Sequence, residues 1–325
     1  MKKHVAALSL MRSATLAACA GDGATAPGTN AYHGSLPAVR RVVVVSVDGL
    51  RGDAVAYMPA LSALAARGAW TDSMQTVVPS LTVPGHLSMF TGRDVTTLGI
   101  TSNVLDRQSG LALAINGAST MFEWVKGAGG RSVALVASSL VPASQLESAR
   151  AYFGLDEVTA VDGNLGDLRA KAIARATAAD APTLLFVHIP TVDYAGHDFG
   201  WIRTDASDPA RDVLGAEYVG AARAADGIIG ELSAALQPAI ASGEVALVVT
   251  ADHGGGHGDG CKASIAGYRE HCTKSAADRT IPFVLVARDV APVRLAGRPS
   301  ITQVAPTVGR LLRVTVPATA GSALR

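Results

Sequence analysis

Residues 42–47 are all valine except for Ser46, and Asp48 follows them directly. An apolar run of this length, broken only by Ser46, predicts a strand that is buried on both faces of its sheet. Such strands occur in sheets whose two faces are both covered by helices. This segment therefore indicates an α/β fold, and it constrains the architecture more than any other part of the chain.

The chain from residue 41 onward alternates predicted strands with predicted helices. Further strands are predicted at 132–136, 183–189, 245–250 and 282–286, and helices at 58–67, 121–126, 168–178, 216–236 and 303–312. Asp167 stands where the cap of the third of these helices is expected. The alternation predicts a mostly parallel sheet with helices on both sides. Because there is no internal repeat and no second boundary, residues 41–316 are predicted to form one domain.

The first 19 residues have the composition of a signal peptide. A basic start is followed by a largely apolar stretch at 5–18, which Arg12 interrupts and which is too short to span a bilayer as a stable helix. The stretch ends in Leu-Ala-Ala-Cys, which resembles a bacterial lipoprotein box in which Cys19 would be lipidated. The alternative is a plain cleaved signal peptide in which Cys19 is incidental.

Residues 20–40 are rich in Gly, Ala, Thr and Pro and are predicted to be a flexible linker. A lipidated Cys19 and such a linker predict an exported protein, periplasmic or at the cell surface, whose membrane contact is a lipid anchor. The net charge of +1 and the aromatic content of 5% argue against binding to duplex nucleic acid and against a stacking platform for single strands.

Carboxylates and imidazoles follow three of the predicted strands. Asp48 follows the valine run, Asp193 and His197 follow the third strand, and Asp252 and His253 follow the fourth. Parallel sheets bind ligands at the carboxyl ends of their strands, so these side chains are expected at one edge. Each alone could be a turn or cap residue. Together they form a donor set suited to Zn²⁺ or Mn²⁺.

The segment Pro-Ser-Leu-Thr-Val-Pro-Gly-His at 79–86 carries a candidate nucleophile, Thr82. Pro84 suits the first turn of a helix that ends at Gly92, so Thr82 is expected near the cap position and could be a cap alone. At a helix N-terminus its hydroxyl would also meet an incoming phosphate. Because a bound dication lowers the pKa of a coordinated hydroxyl, the combination predicts metal-assisted chemistry.

Five ordered motifs carry a family resemblance. They are Val-Ser-Val-Asp-Gly-Leu-Arg-Gly-Asp at 45–53, the segment around Thr82, Val-Asp-Tyr-Ala-Gly-His at 192–197, Thr-Ala-Asp-His-Gly-Gly at 250–255 and Thr-Ile-Pro-Phe at 280–283. The set resembles the type I phosphodiesterase/nucleotide pyrophosphatase family of the alkaline phosphatase superfamily. The resemblance implies an alkaline-phosphatase-like three-layer αβα sandwich with a mostly parallel central sheet. It also implies a two-metal hydrolase of phosphodiesters or nucleotide pyrophosphates that works through a phosphothreonine intermediate on Thr82.

The resemblance also implies roles for individual residues and two divalent cations, with Zn²⁺ expected and Mn²⁺ as the alternative. One ion would be held by Asp193, His197 and a late histidine, and the other by Asp48, Asp252, His253 and the Thr82 oxygen. Asn103, in the context Gly-Ile-Thr-Ser-Asn, would contact a phosphoryl oxygen, although it could also be a turn residue.

The late histidine is either His271 or His257. His271 lies ten residues before Ile281, which resembles the family's spacing from the last ligand to the Ile-Pro strand, and we therefore favour it. His257 would then lie behind the ligands. His86 is expected to pack beneath the nucleophile loop, and His188 is expected on a strand near the pocket.

Three cysteines are present. If Cys19 carries lipid, Cys261 and Cys272 remain, and an exported protein permits a disulfide between them. Closing that loop would stabilise the fold by about 2–3 kcal/mol. Two free surface thiols are the alternative.

The substrate is expected to be a small phosphate ester. Val83 stands where nucleotide-cleaving relatives often place an aromatic residue that clamps the base, and Gly85 replaces a frequent Asn. A phosphomonoesterase would need an added cation near the site, for which the candidates are Arg51, Arg93, Arg169 and Lys171. We expect a diester ahead of a monoester. The absence of a Cys-x-Pro-x-Arg segment argues against a sulfatase.

A different class of function would keep the fold without turnover. The chain would then be a lipid-anchored binding protein or a metal-sequestering protein. The complete set of predicted ligands and the intact Thr82 argue against both, because a silent site would tolerate the loss of either.

Overall fold

The computed structural model describes residues 35–103, 117–161, 164–208, 211–256, 269–272 and 274–324. Cys19, His257 and Cys261 lie outside the described residues. The lipidation of Cys19, the position of His257 and the pairing of Cys261 with Cys272 therefore stay predictions, as does most of the linker.

Ten strands are found in the described ranges. In chain order they are β1 (Arg41–Val47), β2 (Ala69–Gln75), β3 (Ser132–Val136), β4 (Glu157–Ala160), β5 (Leu184–Ile189), β6 (Ile202–Thr204), β7 (Asp212–Leu214), β8 (Val245–Thr250), β9 (Thr280–Val286) and β10 (Val293–Arg294). Eight of them form one sheet in the order β10-β2-β9-β8-β1-β5-β3-β4, and β6 and β7 form a separate ribbon. In the large sheet β9 is antiparallel to both of its neighbours, and the other pairings are parallel.

The helices of the described residues form two groups. In chain order they are α1 (Pro59–Ala65), α2 (Thr82–Thr91), α3 (Val95–Leu98), α4 (Met121–Gly127), α5 (Leu146–Phe153), α6 (Leu165–Thr177), α7 (Thr191–Phe199), α8 (Ala216–Ala241), α9 (Ala276–Arg279) and α10 (Val304–Leu312). Helix α8 packs against α1, α6 and α7, whereas α10 packs against α2 and α4. The three-layer αβα architecture predicted from the sequence is confirmed. Over these same residues, no helix has the length and apolar character needed to cross a bilayer.

Strand β1 lies in the middle of the sheet between β8 and β5. All residues of β1 after Arg41 are buried, so both of its faces are covered, as the valine run predicted. The strands β3 and β8 match their predicted bounds, and β5 and β9 differ from theirs by one or two residues. Burial on both faces therefore identifies the central strands well.

Helix ends differ more from the predictions. The prediction of Asp167 as a cap is wrong, because the Asn164 side chain accepts hydrogen bonds from the backbone N–H groups of Gly166 and Asp167 at 2.8 and 3.1 Å. Asp167 instead lies in the first turn of α6 and pairs with Lys171 at 2.7 Å. Helix α8 continues past its predicted end to Ala241 although Pro238 lies in its last turn, where the proline lacks the N–H for one backbone hydrogen bond.

A buried carboxylate ties the longest helix to the start of α1. Asp226 of α8 is only 4% exposed, and its two oxygens accept hydrogen bonds from the backbone N–H groups of Ala60 and Leu61 at 2.9 and 2.8 Å. The first amides of a helix have no partner within the helix. Asp226 therefore caps α1 from another element.

We expect Asp226→Ala to lower the free energy of unfolding by about 2–3 kcal/mol, because two amides lose a charged acceptor. Glu231→Ala is the matched control on the same helix. Glu231 is exposed and pairs at the surface with Arg169, so its removal should cost less than about 1 kcal/mol. Urea denaturation of both variants measures the difference. Equal losses of unfolding free energy in the two variants would show that capping by Asp226 does not stabilise α1.

Candidate metal centre

The sheet order brings three of the predicted motifs together. Strands β8, β1 and β5 are neighbours, and Asp48 follows β1 while Asp252 and His253 follow β8. Helix α7 begins two residues after β5 and carries Asp193 and His197. Because β9 runs antiparallel to these strands, the segment before it, with His271, reaches the same edge. The predicted ligands therefore lie together.

Three buried carboxylates meet at this edge, each with an unsatisfied oxygen. Asp48 Oδ1, Asp193 Oδ1 and Asp252 Oδ2 have no hydrogen-bond partner among the described residues. The Nε2 atom of His253 faces all three, at 3.3, 3.9 and 3.3 Å respectively. Burying a charged oxygen without a partner is costly, so this arrangement calls for cations.

Two groups of potential ligand atoms can be distinguished. Asp193, His197 and His271 form one, and Asp48, Asp193 and His253 form the other, with the ligand atoms of each group within 4.8 Å of one another. Asp193 belongs to both groups. Asp252 adjoins the second group through its Oδ2 atom. The residues present fit the two dications that the sequence predicts, since oxygen and nitrogen donors of this kind suit Zn²⁺.

The histidines of the site expose the same ring nitrogen to the cluster. The Nδ1 atoms of His197, His271 and His253 bond to the backbone carbonyls of Arg269, Ser80 and Gly254 at 2.9, 2.6 and 2.7 Å. A carbonyl can only accept, so each Nδ1 carries the proton and each Nε2 is directed to the cluster. The Nε2 atoms of His197 and His271 lie 3.2 Å apart. Two lone pairs at that distance are accommodated by a cation between them.

The site chemistry shifts several pKa values. Burial raises the pKa of Asp193 and Asp252 well above the usual value, and the charge of Asp48 raises both further. Burial also opposes the ionisation of Asp48, but the hydrogen bond from His188 and the charge of the neighbouring His253 outweigh it and hold its pKa well below the usual value. Although burial lowers the pKa of His253, the charges of Asp252 and Asp48 raise it to about 10. Without a metal, protons thus balance the carboxylates.

His271 lies in the cluster, whereas His257 lies outside the described residues. His271 is buried, and its Nε2 is 3.7 Å from Asp193 Oδ1. Burial and the neighbouring His253 lower the pKa of His271 well below the usual value. A neutral imidazole is the form that binds a metal. Its position therefore agrees with the choice of His271 as the late histidine.

Thr82 starts helix α2 rather than capping it. The cap position belongs to Leu81, which offers no side-chain acceptor, so Thr82 lies next to the cap and the alternative that it is only a cap is wrong. The Thr82 hydroxyl lies 3.2 Å from His253 Nε2, within the metal cluster. Its oxygen is thus placed beside the second group of ligands, as predicted.

His86 packs beneath Thr82, as expected. Its Nδ1 donates to the Thr82 carbonyl at 2.8 Å, and its Nε2 accepts from the Ser46 hydroxyl at 3.0 Å. Burial lowers the pKa of His86 to about 3, so the ring stays neutral. A neutral, fully buried histidine holds the first turn of α2 against β1.

Asn103 also lies near the nucleophile. Its side-chain oxygen accepts a hydrogen bond from the Val83 backbone N–H at 3.0 Å. That contact satisfies one of the first amides of α2 and leaves the amide nitrogen of Asn103 as a donor.

Several residues of the site were not singled out from the sequence. His188 Nε2 and Ser139 Oγ bond to Asp48 Oδ2 at 3.0 and 3.3 Å. Trp201 Nε1 and the Tyr218 hydroxyl both donate to the Gly49 carbonyl, at 2.9 and 3.1 Å. His188 was expected only as a strand residue near the pocket. No spacing in the sequence marks the other three, because their partners are distant along the chain.

Comparison with known proteins agrees with this geometry. Residues 42–282 match the family described as type I phosphodiesterase/nucleotide pyrophosphatase. Among curated proteins, none matches the chain in sequence.

Solved structures with the same fold include two of murine ectonucleotide pyrophosphatase/phosphodiesterase 5, one of them an inactive form in complex with AMP. Each has a TM-score of 0.67 and 16% identity, and covers 87% of this chain and 97% of its own. A 2-O GAG sulfatase has a TM-score of 0.65 and 14% identity, with 88% of this chain and 73% of its own covered. At these identities the structures establish the fold that is shared.

We expect added Zn²⁺ to raise the thermal midpoint of the metal-free protein. A dication present at 1,000 times its dissociation constant would stabilise the folded chain by about 4 kcal/mol. Asp193→Asn removes the charge shared by both ligand groups and should abolish most of this rise. Asp289→Asn, at an exposed surface pair with Arg288, should keep it. Scanning calorimetry with and without Zn²⁺ measures the effect, and an unchanged wild-type midpoint would contradict a metal centre.

Proposed function

The chain belongs to the type I phosphodiesterase/nucleotide pyrophosphatase family, and on this basis we propose that it hydrolyses phosphodiesters or nucleotide pyrophosphates with Thr82 as the nucleophile. The observation that carries the proposal is the position of the Thr82 hydroxyl. It lies 3.2 Å from His253 Nε2, at the N-terminus of α2, beside three buried carboxylates with unsatisfied oxygens. A threonine that served only to start a helix would not need these neighbours.

Two dications would be held by the ligands described above. Asp193, His197 and His271 would hold one, and Asp48, Asp252, His253 and the Thr82 oxygen the other. When bound, they supply positive charge that lowers the pKa of the Thr82 hydroxyl and neutralises phosphoryl oxygens. The mixed Asp and His donors favour Zn²⁺, with Mn²⁺ as the alternative.

The protein residues position the reacting groups. The Thr82 hydroxyl releases its proton to solvent, its oxygen attacks phosphorus, and a Thr82–phosphate bond forms. The bond to the leaving group breaks at the same time, and a leaving alkoxide takes up a proton from solvent. Water then attacks the phosphothreonine from the opposite side and releases Thr82 with its proton. The amides at the start of α2 favour the phosphoryl charge, and the Asn103 amide nitrogen donates to one phosphoryl oxygen.

The surroundings of the basic residues favour a diester over a monoester. The Arg51 guanidinium is engaged with Asp53 and the Gly255 carbonyl. Arg169 pairs with Glu231 and Lys171 pairs with Asp167, both at the surface. Arg93 follows the far end of α2, about 15 Å along the helix axis from Thr82. None of these four cations is thus poised to balance the extra charge of a monoester.

The residue after the nucleophile does not serve as a base clamp. Val83 is buried, with 3% of its surface exposed, so it faces the core rather than a bound leaving group. The murine relative whose inactive form was solved with AMP makes a nucleotide a natural candidate ligand. In this chain, the nucleoside would have to be held by residues other than Val83.

Thr82→Ala should reduce hydrolysis of bis-p-nitrophenyl phosphate by about 10³-fold or more while bound zinc is largely retained, because the nucleophile is lost but the charged ligands remain. Steady-state rates on this diester and on p-nitrophenyl phosphate, with metal analysis of the same samples, measure the effect. Thr96→Ala, at an exposed threonine of the next helix, is the control.

Three outcomes distinguish a diesterase from a phosphatase and from a binding protein without turnover. Wild-type preference for the diester, lost in Thr82→Ala, supports the proposal. Preference for the monoester would replace the diesterase with a phosphatase. No turnover of either ester by a wild type with two bound ions would support the silent binding protein instead.

Two substitutions of Asn103 separate its two contacts. Asn103→Ala should lower kcat on the diester by about 10²–10³-fold, as for loss of one donor to a developing oxyanion. Asn103→Asp keeps an acceptor for the Val83 amide but turns the donor into a negative oxygen, so its loss should be larger still. Activity of Asn103→Asp equal to that of the wild type would show that Asn103 serves α2 only.

A further inference from the structure

The two oxygens of Asp48 have different surroundings. Asp48 Oδ2 accepts hydrogen bonds from His188 Nε2 at 3.0 Å and from Ser139 Oγ at 3.3 Å. Asp48 Oδ1 has no hydrogen-bond partner among the residues described, and it lies 3.3 Å from His253 Nε2. One oxygen is therefore saturated by side chains, and the other is directed into the cluster.

The geometry fixes His188 as a donor to Asp48. Its Nδ1 atom accepts a hydrogen bond from the Ala137 backbone N–H at 3.2 Å. A nitrogen that accepts from an amide carries no proton, so the proton of the neutral ring is on Nε2. His188 and Asp48 are both fully buried, so water does not compete for this bond.

We propose that His188 is a positioning residue, which holds Asp48 so that a dication is met by Oδ1 alone. A carboxylate that is free to turn about its last side-chain bond can offer either oxygen or both. A donor fixed to Oδ2 removes that freedom and orients the remaining oxygen, as partners behind metal ligands generally do. This inference rests on the proposed function, because it concerns the second of the two dications.

Four of the other candidate ligands are held by backbone groups. His197, His271 and His253 bond to backbone carbonyls, and Asp252 Oδ1 accepts from the Gly49 backbone N–H at 3.2 Å. Asp48 depends instead on the side chains of His188 and Ser139. A substitution at His188 should thus affect the ligand group of Asp48 and leave the group of His197 and His271 intact.

The competing explanation is that His188 only fills space. Its ring packs edge-on against that of His86, with 5.0 Å between the centroids, and a buried ring is often a packing residue. His188→Phe keeps a ring of similar volume and removes the donor. His188→Gln places an amide donor near the position of Nε2. The pair therefore separates the hydrogen bond from the packing.

The test consists of two titrations of the metal-free full chain. Binding of Co²⁺ is followed by the visible absorption of the bound ion, and binding of Zn²⁺ is measured in competition with a chromophoric chelator. The wild type should bind two ions. His188→Phe should bind one ion with wild-type affinity and the other about 10–100-fold more weakly. His188→Gln should recover most of that loss. Ser139→Ala should weaken the same ion by a smaller factor, since its bond to Asp48 is longer.

Three results would overturn the inference. They are wild-type affinity for both ions in His188→Phe, no recovery in His188→Gln, or equal weakening of both ions together with a lower thermal midpoint of the metal-free protein. The last result would identify a packing residue. If the wild type binds two ions and hydrolyses the diester, and His188→Phe binds both ions with wild-type affinity, this inference alone is contradicted. If the wild type binds no dication, the proposed function itself is contradicted.

Discussion

The mutual repulsion of three buried carboxylates is the constraint around which this protein is arranged. Asp48 and Asp252 follow two adjacent strands, and Asp193 lies on the helix that follows a third. Each has an oxygen without a hydrogen-bond partner in the part of the chain that the structure describes. Such a cluster is stable only if positive charge is present, either as protons or as bound cations. The three histidines donate their Nδ1 protons to backbone carbonyls, so their Nε2 lone pairs are available to bind cations.

One residue, Gly49, connects the pieces of this cluster. Gly49 has a φ of 71°, and a Cβ atom there would lie 2.9 Å from the Cα of Asp193, so the position suits glycine alone. Its carbonyl accepts from Trp201 and Tyr218, and its N–H donates to Asp252. The turn at Gly49 thus links the end of β1 to the side chains of Asp252, Trp201 and Tyr218, and it packs closely against Asp193 of α7.

The sequence predicted the central strands and the clustering of the candidate ligands at their ends because both leave local signals. Burial on two faces gives an apolar run, as at 245–250, and a ligand at a strand end follows such a run directly. The cap of α6 was missed, since Asn164 and Asp167 are both good cap residues and the backbone decides between them. His188 was not recognised as a partner of Asp48, because the sequence pattern of a buried strand does not indicate which side chains its histidine contacts. His271 required the family spacing, since the antiparallel β9 brings it to the site from far along the chain.

The segment between Gly256 and Glu270 has ends that are fastened to each other. The Gly256 backbone N–H donates to the Glu270 carbonyl at 3.0 Å, and the Gly254 and Gly255 N–H groups bond to the carbonyls of Asp278 and Ala277. The entropy cost of a longer loop between fixed ends grows only slowly with its length. The length and sequence of the stretch between these two residues can therefore change in evolution without moving His253 or His271. The fold in this way separates the part that performs the chemistry from a part that is free to diversify.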